Sequence, residues 1–248
     1  MTGKETPMEI FAMSDLHLSL GTDKPMDIFG WGDHVAIIKE NWCNRVKNED
    51  YVLIPGDISW GINFEEAGPD FAFIEALPGK KIISKGNHDY WWSTRKKFDN
   101  FCEEKGYKTI SVLHNNSFVV GNYAICGSRG WKPLDDDDFD EEDKKIYYRE
   151  LERLKLSLEE GKKAQKELIS MLHYPPFDSR HRPNEFAGLL KEYDVKICVY
   201  GHIHGKANEH WKDEEIDGIR FHLVSCNIIG FNPIKLMLET NVDCDIIK

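Results

Sequence analysis

Five times along the chain, a short aliphatic or β-branched run stops on polar residues of the kinds that hold metal ions. Ile10-Phe11-Ala12-Met13 runs into Asp15 and His17, and Val52-Leu53-Ile54 into Gly56 and Asp57. Lys81-Ile82-Ile83-Ser84 reaches Gly86-Asn87-His88-Asp89, Leu168-Ile169-Ser170-Met171-Leu172 reaches His173, and Ile197-Cys198-Val199-Tyr200 reaches Gly201-His202-Ile203-His204. Runs of this length and make-up read as buried strands. Between them lie segments with helical spacing. Val35, Ile38, Trp42 and Val46 follow a cap at Asp33, a second segment runs from about Phe64 to Leu77 before Pro78-Gly79, a third ends near Lys105, and a fourth spans about Asn184 to Tyr193. Strands alternating with helices predict an α/β fold, in which ligands bind beyond the carboxyl ends of the strands. The five polar clusters are therefore expected to converge on one pocket.

From about Ser111 the pattern changes to strand followed by strand. Ser117 to Val120 and Tyr123 to Cys126 flank Gly121-Asn122, a two-residue hairpin signal. Asp135 to Asp143 is an almost unbroken run of acids, read as a solvated loop rather than a cation site. Behind it Ile146, Leu151, Leu154 and Leu158 form one stripe of a helix broken near Gly161, which can serve as a lid over the pocket or pack on the outer face of a sheet. The whole of 1–248 reads as one domain carrying this acidic loop and helical insertion at about 132–165. Phe221 to Ser225 and Ile234 to Glu239 read as two strands completing a second sheet.

With 248 residues, 41% of them hydrophobic, the chain is long enough for one large core. A formal charge of −11 argues against affinity built on neutralising a phosphate backbone, so long nucleic acid is disfavoured as a partner. The six cysteines show no C-x-x-C spacing and read as reduced thiols of a cytoplasmic protein. No apolar run approaches the roughly 20 residues needed to span a bilayer.

The ligand-type residues are Asp15, His17, Asp57, Asn87, His88, His173, His202 and His204. They offer only oxygen and imidazole donors, a set suited to Mn, Fe, Co, Ni or Zn rather than calcium. The i, i+2 spacing of Asp15 with His17 and of His202 with His204 places each pair on one side of an extended segment. There are too many donors for one tetrahedral ion and enough for two sharing a carboxylate, about 3.5–4 Å apart, as in phosphate-ester hydrolysis. Tyr90-Trp91-Trp92 can form a stacking wall for a substrate or plug a sheet–helix junction, Trp60 near a motif end is a further candidate substrate contact, and Arg180, His181 and Arg182 can contact an anionic substrate or form a basic surface patch. His34, His114, His210 and His222 lie outside the clusters and read as structural.

The ordered set Asp15-x-His17, Gly56-Asp57, Gly86-Asn87-His88-Asp89, His173 and Gly201-His202-x-His204 resembles the calcineurin-like metallophosphoesterase signature, over residues from about 9 to 205. The resemblance implies a four-layer α/β/β/α sandwich of two mixed sheets with a dimetal site at one edge. By the family pattern, Asp15, His17, Asp57 and His204 would hold one ion and Asp57, Asn87, His173 and His202 the other, with Asp57 as the bridge. His88 would protonate the leaving group or stabilise its charge, and Asp89 is suited to orient that imidazole or is a solvent-exposed turn residue. Gly56-Asp57-Ile58-Ser59-Trp60-Gly61 lacks the Asp-Arg-Gly continuation of protein Ser/Thr phosphatases and dinucleoside tetraphosphatases, and also the Phe-Asp continuation of the exonuclease branch. Gly-Asn-His-Asp followed by His-x-Pro-Pro resembles instead the branch with cyclic-nucleotide phosphodiesterases and small phosphohydrolases. The expectation is a metal-dependent phosphohydrolase of a small phosphomonoester or phosphodiester, a nucleotide being one candidate. The rivals are a nuclease of the same chemistry, which would want a basic groove, and a non-catalytic scaffold that keeps a metal site. Oligomeric state is left open.

Overall fold

Apolar residues on both faces of most strands demand cover on both sides, and the chain meets that demand with two stacked sheets and helices outside each. A computed structural model describes residues 8–24, 26–205 and 213–238. The polar lead before Met8, His210, Glu239 and Cys244 lie outside those residues.

The first sheet is built by β1 (Ile10–Ala12), β2 (Tyr51–Pro55), β3 (Lys80–Ser84) and β4 (Ile110–Val112), all parallel and joined through α1 (His34–Arg45), α2 (Phe64–Ala76) and α3 (Arg95–Lys105). Each helix begins on a side-chain cap: Asp33 accepts from Ala36 N–H, Asn63 from Glu65 and Glu66, and Thr94 from Lys97. β5 (Phe118–Val120) and β6 (Tyr123–Ser128) form the expected hairpin, with Val120 opposite Tyr123 across Gly121-Asn122. The second sheet continues through α4 (Glu141–Lys162), β7 (Glu167–Leu172), α5 (Glu185–Glu192), β8 (Val195–Tyr200), β9 (Glu214–Ile216) and β10 (Ile219–Leu223). Its order is β5-β6-β7-β8-β10-β9, with β6, β7, β8 and β10 parallel and the two edges antiparallel.

One expectation changes and another is settled. β11 (Ile234–Lys235) pairs antiparallel with β1 at the edge of the first sheet instead of extending the second, because Phe11 and Ala12 present it a free edge. α4 ends at Lys162, next to Gly161 as expected, and lies on β6 and β7 as a layer of the sandwich, with Tyr147, Leu154 and Leu158 buried against the sheet, so of the two placements it takes the outer face and is not a lid. Part of the acidic run starts this helix: Asp140 accepts from Glu142 and Asp143, and the Asp143 carboxylate accepts from Asp140 N–H.

Three apolar layers result. Phe11, Val52 and Ile54 face Trp42, Phe71 and Phe98 of the first helical layer; Ala12, Leu53, Ile125, Ile169 and Val199 meet between the sheets; Cys126, Leu172 and Tyr200 face α4 and α5. This is the four-layer α/β/β/α sandwich. Cys43, Cys102, Cys126, Cys198 and Cys226 are free thiols. Among the described residues no helix is long and apolar enough to cross a membrane.

Candidate metal centre

The carboxyl ends of β1, β2 and β3 in one sheet meet those of β7, β8 and β10 in the other, which brings the five polar clusters to one place. Ligand atoms of Asp15, His17 and His204 all lie within 4.8 Å of one another, as do those of Asp57, His173 and His202. The Asn87 amide oxygen joins the second group, 2.6 Å from His173 Nε2 and 3.0 Å from His202 Nδ1. Asp57 Oδ2 stands between the two groups, 3.7 Å from His17 Nε2 and 3.4 Å from His173 Nε2.

The backbone is forced to make this convergence. Asp15, His17, Asp57 and His202 adopt left-handed φ of 58°, 44°, 52° and 73°, which costs on the order of 1 kcal/mol each. The β2 and β3 turns also approach closely, and a Cβ on Gly56 would meet Gly86 Cα at 2.6 Å and His173 Nδ1 at 2.8 Å. Only glycine allows Asp57 and Asn87 to sit side by side there.

Second partners aim the ligands. His173 Nδ1–H donates to Pro55 O at 3.0 Å and His204 Nδ1–H to Asn227 Oδ1 at 2.9 Å, leaving both Nε2 lone pairs for a cation. Ser14 Oγ and Ser225 Oγ donate to Asp15 Oδ2, the latter at 2.9 Å, and His202 N–H donates to the same carboxylate at 3.0 Å. Asp89 is not an exposed turn residue, and no hydrogen bond links it to the His88 ring. It is fully buried and accepts from the backbone N–H groups of Asp57, Ile58, Ser59 and Gly86 and from Trp91 Nε1, so it clasps the β2 and β3 turns together.

The electrostatics fit resident cations. Burial pushes His17 and His202 down to about 3 and His173 to about 4, so these imidazoles keep free lone pairs at neutral pH. Burial, with the Asp15 and Asp89 charges, raises Asp57 well above the carboxylate range, so its charge lacks compensation from the protein alone. His17 Nε2 and His204 Nε2 lie 3.3 Å apart, and a cation between such donors relieves the crowding of lone pairs.

The remaining expected residues divide. Trp60 stacks on His17 with ring centres 4.9 Å apart and lies 4.6 Å from the His88 ring. Both line a cleft of about 700 Å³ together with His17, Met26, Trp31, His204, Asn227 and Phe231. Trp91 is 2% exposed and packed against Phe71 and Phe98 in the core, which makes it a structural plug and not a substrate wall. His181 pairs with Glu214 at 2.5 Å and stacks on Phe177, and Arg180 is exposed in the same turn; neither lines the cleft. Ser225 and Asn227 were missed: they follow β10 in the alternating stretch Val224-Ser225-Cys226-Asn227, where no continuous apolar run precedes them.

A sequence profile of the calcineurin-like phosphoesterase family matches residues 8–206. A search of curated proteins finds no match. Among solved structures, phosphopantetheinyl hydrolase of Mycobacterium tuberculosis is similar at 15% identity over 88% of each chain, with a TM-score of 0.54. TT1561 of Thermus thermophilus is similar at 12% identity over 93% of this chain and 98% of that one, also with a TM-score of 0.54. AQ665 of Aquifex aeolicus, a protein of unknown function, is 16% identical over 92% of this chain and 96% of its own, with a TM-score of 0.48.

Proposed function

Because the chain belongs to the calcineurin-like phosphoesterase family and is on that ground a phosphoric ester hydrolase, we propose that it is a dimetal enzyme cleaving a small phosphomonoester or phosphodiester. The observation that carries this reading is Asp57 Oδ2 placed between two groups of nitrogen and oxygen donors. Asp15, His17 and His204 with Asp57 would hold one divalent transition-metal ion, and Asn87, His173 and His202 with Asp57 the other. Such a pair supplies Lewis acidity, lowering the pKa of water and drawing charge from the phosphoryl oxygens.

The protein's own groups do the rest. Asn227 and Pro55 fix the tautomers of His204 and His173, so that neither imidazole turns a proton toward the ions. Burial lowers the pKa of His88, which keeps its ring neutral at pH 7 with a proton on one nitrogen only. From the cleft wall that ring can give a hydrogen bond to the departing oxygen. Trp60, lying over His17 and His88, and Trp31, edge-on to His17, form an aromatic wall beside the donors on that side. The cleft is faced mainly by apolar and aromatic side chains and carries no lysine or arginine among its described lining residues. It suits a planar or apolar leaving group, such as a nucleoside, and gives a long nucleic-acid strand nothing to grip.

The test is hydrolysis of p-nitrophenyl phosphate and bis-p-nitrophenyl phosphate with added Mn. Asp57→Asn should lower kcat/KM by about a thousandfold or more, as expected for loss of an interaction worth about 4 kcal/mol in the transition state, and His88→Ala should lower kcat more than it raises KM. Turnover that persists in chelator, or is unchanged in Asp57→Asn, overturns the reading.

A further inference from the structure

Toward β3, β4 and β6, on the flank of the ligand cluster away from the Trp60 cleft, a second cavity of about 390 Å³ opens between the strand ends and α4. It has room for about a dozen waters at about 30 Å³ each. Its lining includes four basic side chains, Lys85, Arg129, Arg149 and Arg153, and a single acid, Glu150. Glu150 is 2% exposed and is already shared, its Oε1 accepting from Arg153 Nη1 at 2.7 Å and Arg129 Nη2 at 3.4 Å. Arg129, 11% exposed, lies 4.2 Å over the Trp131 ring, and its buried Nε has no hydrogen-bond partner. Among the described residues no ion pair or side-chain hydrogen bond engages Lys85 or Arg149.

Three uncompensated positive charges in one half-enclosed cavity are anomalous in a chain of net charge −11. Arg129, the most buried of the four, already has Glu150, which it shares with Arg153, so a network serving only to fasten α4 would need no further cation, yet half-buried Lys85 and exposed Arg149 also face this space. The burial of His114 in the same wall, reinforced by the charge of Arg153, lowers its pKa, which agrees with a positive field there. The cavity is also joined to the ligand cluster through the backbone. Arg129 O accepts from His173 N–H at 3.0 Å and Tyr174 N–H at 2.9 Å, and Lys85 precedes Asn87 by two residues, about 7 Å of extended chain.

We propose that this cavity holds a second anionic group, phosphate or carboxylate, of the same small substrate whose ester is cleaved beside it. The assignment rests on the phosphoester reading above and narrows it to molecules that keep one anion after the other ester is cut. Guanidinium groups fixed by Glu150 and Trp131 suit such an oxyanion through paired N–H donors, and Lys85 adds a mobile point charge.

The experiment titrates chelator-stripped protein calorimetrically with adenosine 3′,5′-bisphosphate and with adenosine 5′-monophosphate, then measures kcat/KM for both with Mn. The bisphosphate should bind at least tenfold more tightly, with a similar ratio in kcat/KM, and Lys85→Met and Arg149→Gln should each pull both ratios toward one. Arg149 is exposed, so Arg149→Gln carries the test should Lys85→Met fail to fold. Equal binding of the two nucleotides by the wild type, or ratios unchanged in the variants, overturns the proposal. Inorganic phosphate that binds the stripped wild type but not the variants, with nucleotide ratios of one, assigns the cavity to a free anion and overturns the substrate role. Failure of every ester to turn over strikes the hydrolase reading instead, while the stripped-protein titration still reads the cavity.

Discussion

Asp70 has no place in the ligand cluster, yet it is fully buried close behind it, accepting from Leu20 N–H at 2.7 Å and Ser59 Oγ–H at 2.5 Å. Burial outweighs these bonds and raises its pKa to about 6. A carboxyl group with a raised folded-state pKa adds stability below its unfolded value near 3.8, and that stability is lost as pH rises through 6. The wild type should therefore lose up to about 3 kcal/mol relative to Asp70→Asn between pH 4 and 7, read from urea unfolding at each pH; a difference that does not vary with pH contradicts this. At the same scale, the candidate ligands that the fold brings together stood out because each follows the end of an apolar run. Asp89 and Trp91 misled, since a polar residue after a ligand and an aromatic beside it look alike whether they face solvent, substrate or core. Ser225 and Asn227 were hidden because β10 alternates buried and half-buried residues, so that its end did not stand out.

Among the elements, α4 depends on a contact that local propensity opposes. Gly161 disfavours helix, but a Cβ there would collide with Cys126 Sγ in β6 and reach Leu168 Cδ2 at 3.2 Å. The glycine lets the helix lie directly on the sheet. Gly161→Ala should cost about 1–3 kcal/mol through overpacking despite its better helix propensity, and Cys126→Ala in the same chain should recover most of the loss in chemical denaturation. An additive double mutant would remove the explanation. Long apolar runs such as those of β2, β3, β7 and β8 were legible because a strand buried on both faces writes a continuous signal, whereas the three-residue edge strand β9 wrote almost none and β11 was read as a strand but assigned to the wrong sheet.

For the molecule as a whole, the ligand cluster is a cost until it is filled, because it gathers Asp15, Asp57 and five imidazoles in or beside a buried space. Added Mn at about a hundred times its dissociation constant should stabilise the chelator-stripped protein by about 2.7 kcal/mol per site, and raise Tm by about 5–10 °C for a chain of this size. Asp57→Asn should largely abolish the shift. A Tm indifferent to Mn would mean the cluster does not load. The two sheets do not meet at the cluster through side chains alone: Ser14 N–H donates to Val224 O, Cys226 N–H donates to Ser14 O, and Ser14 bridges Ser225 in parallel pairing. That main-chain stitch makes the candidate metal centre also the hinge-pin of the sandwich. The halves cannot part by a breathing motion that leaves either donor group whole, and any ligand must come and go by the open clefts and not by separation of the layers.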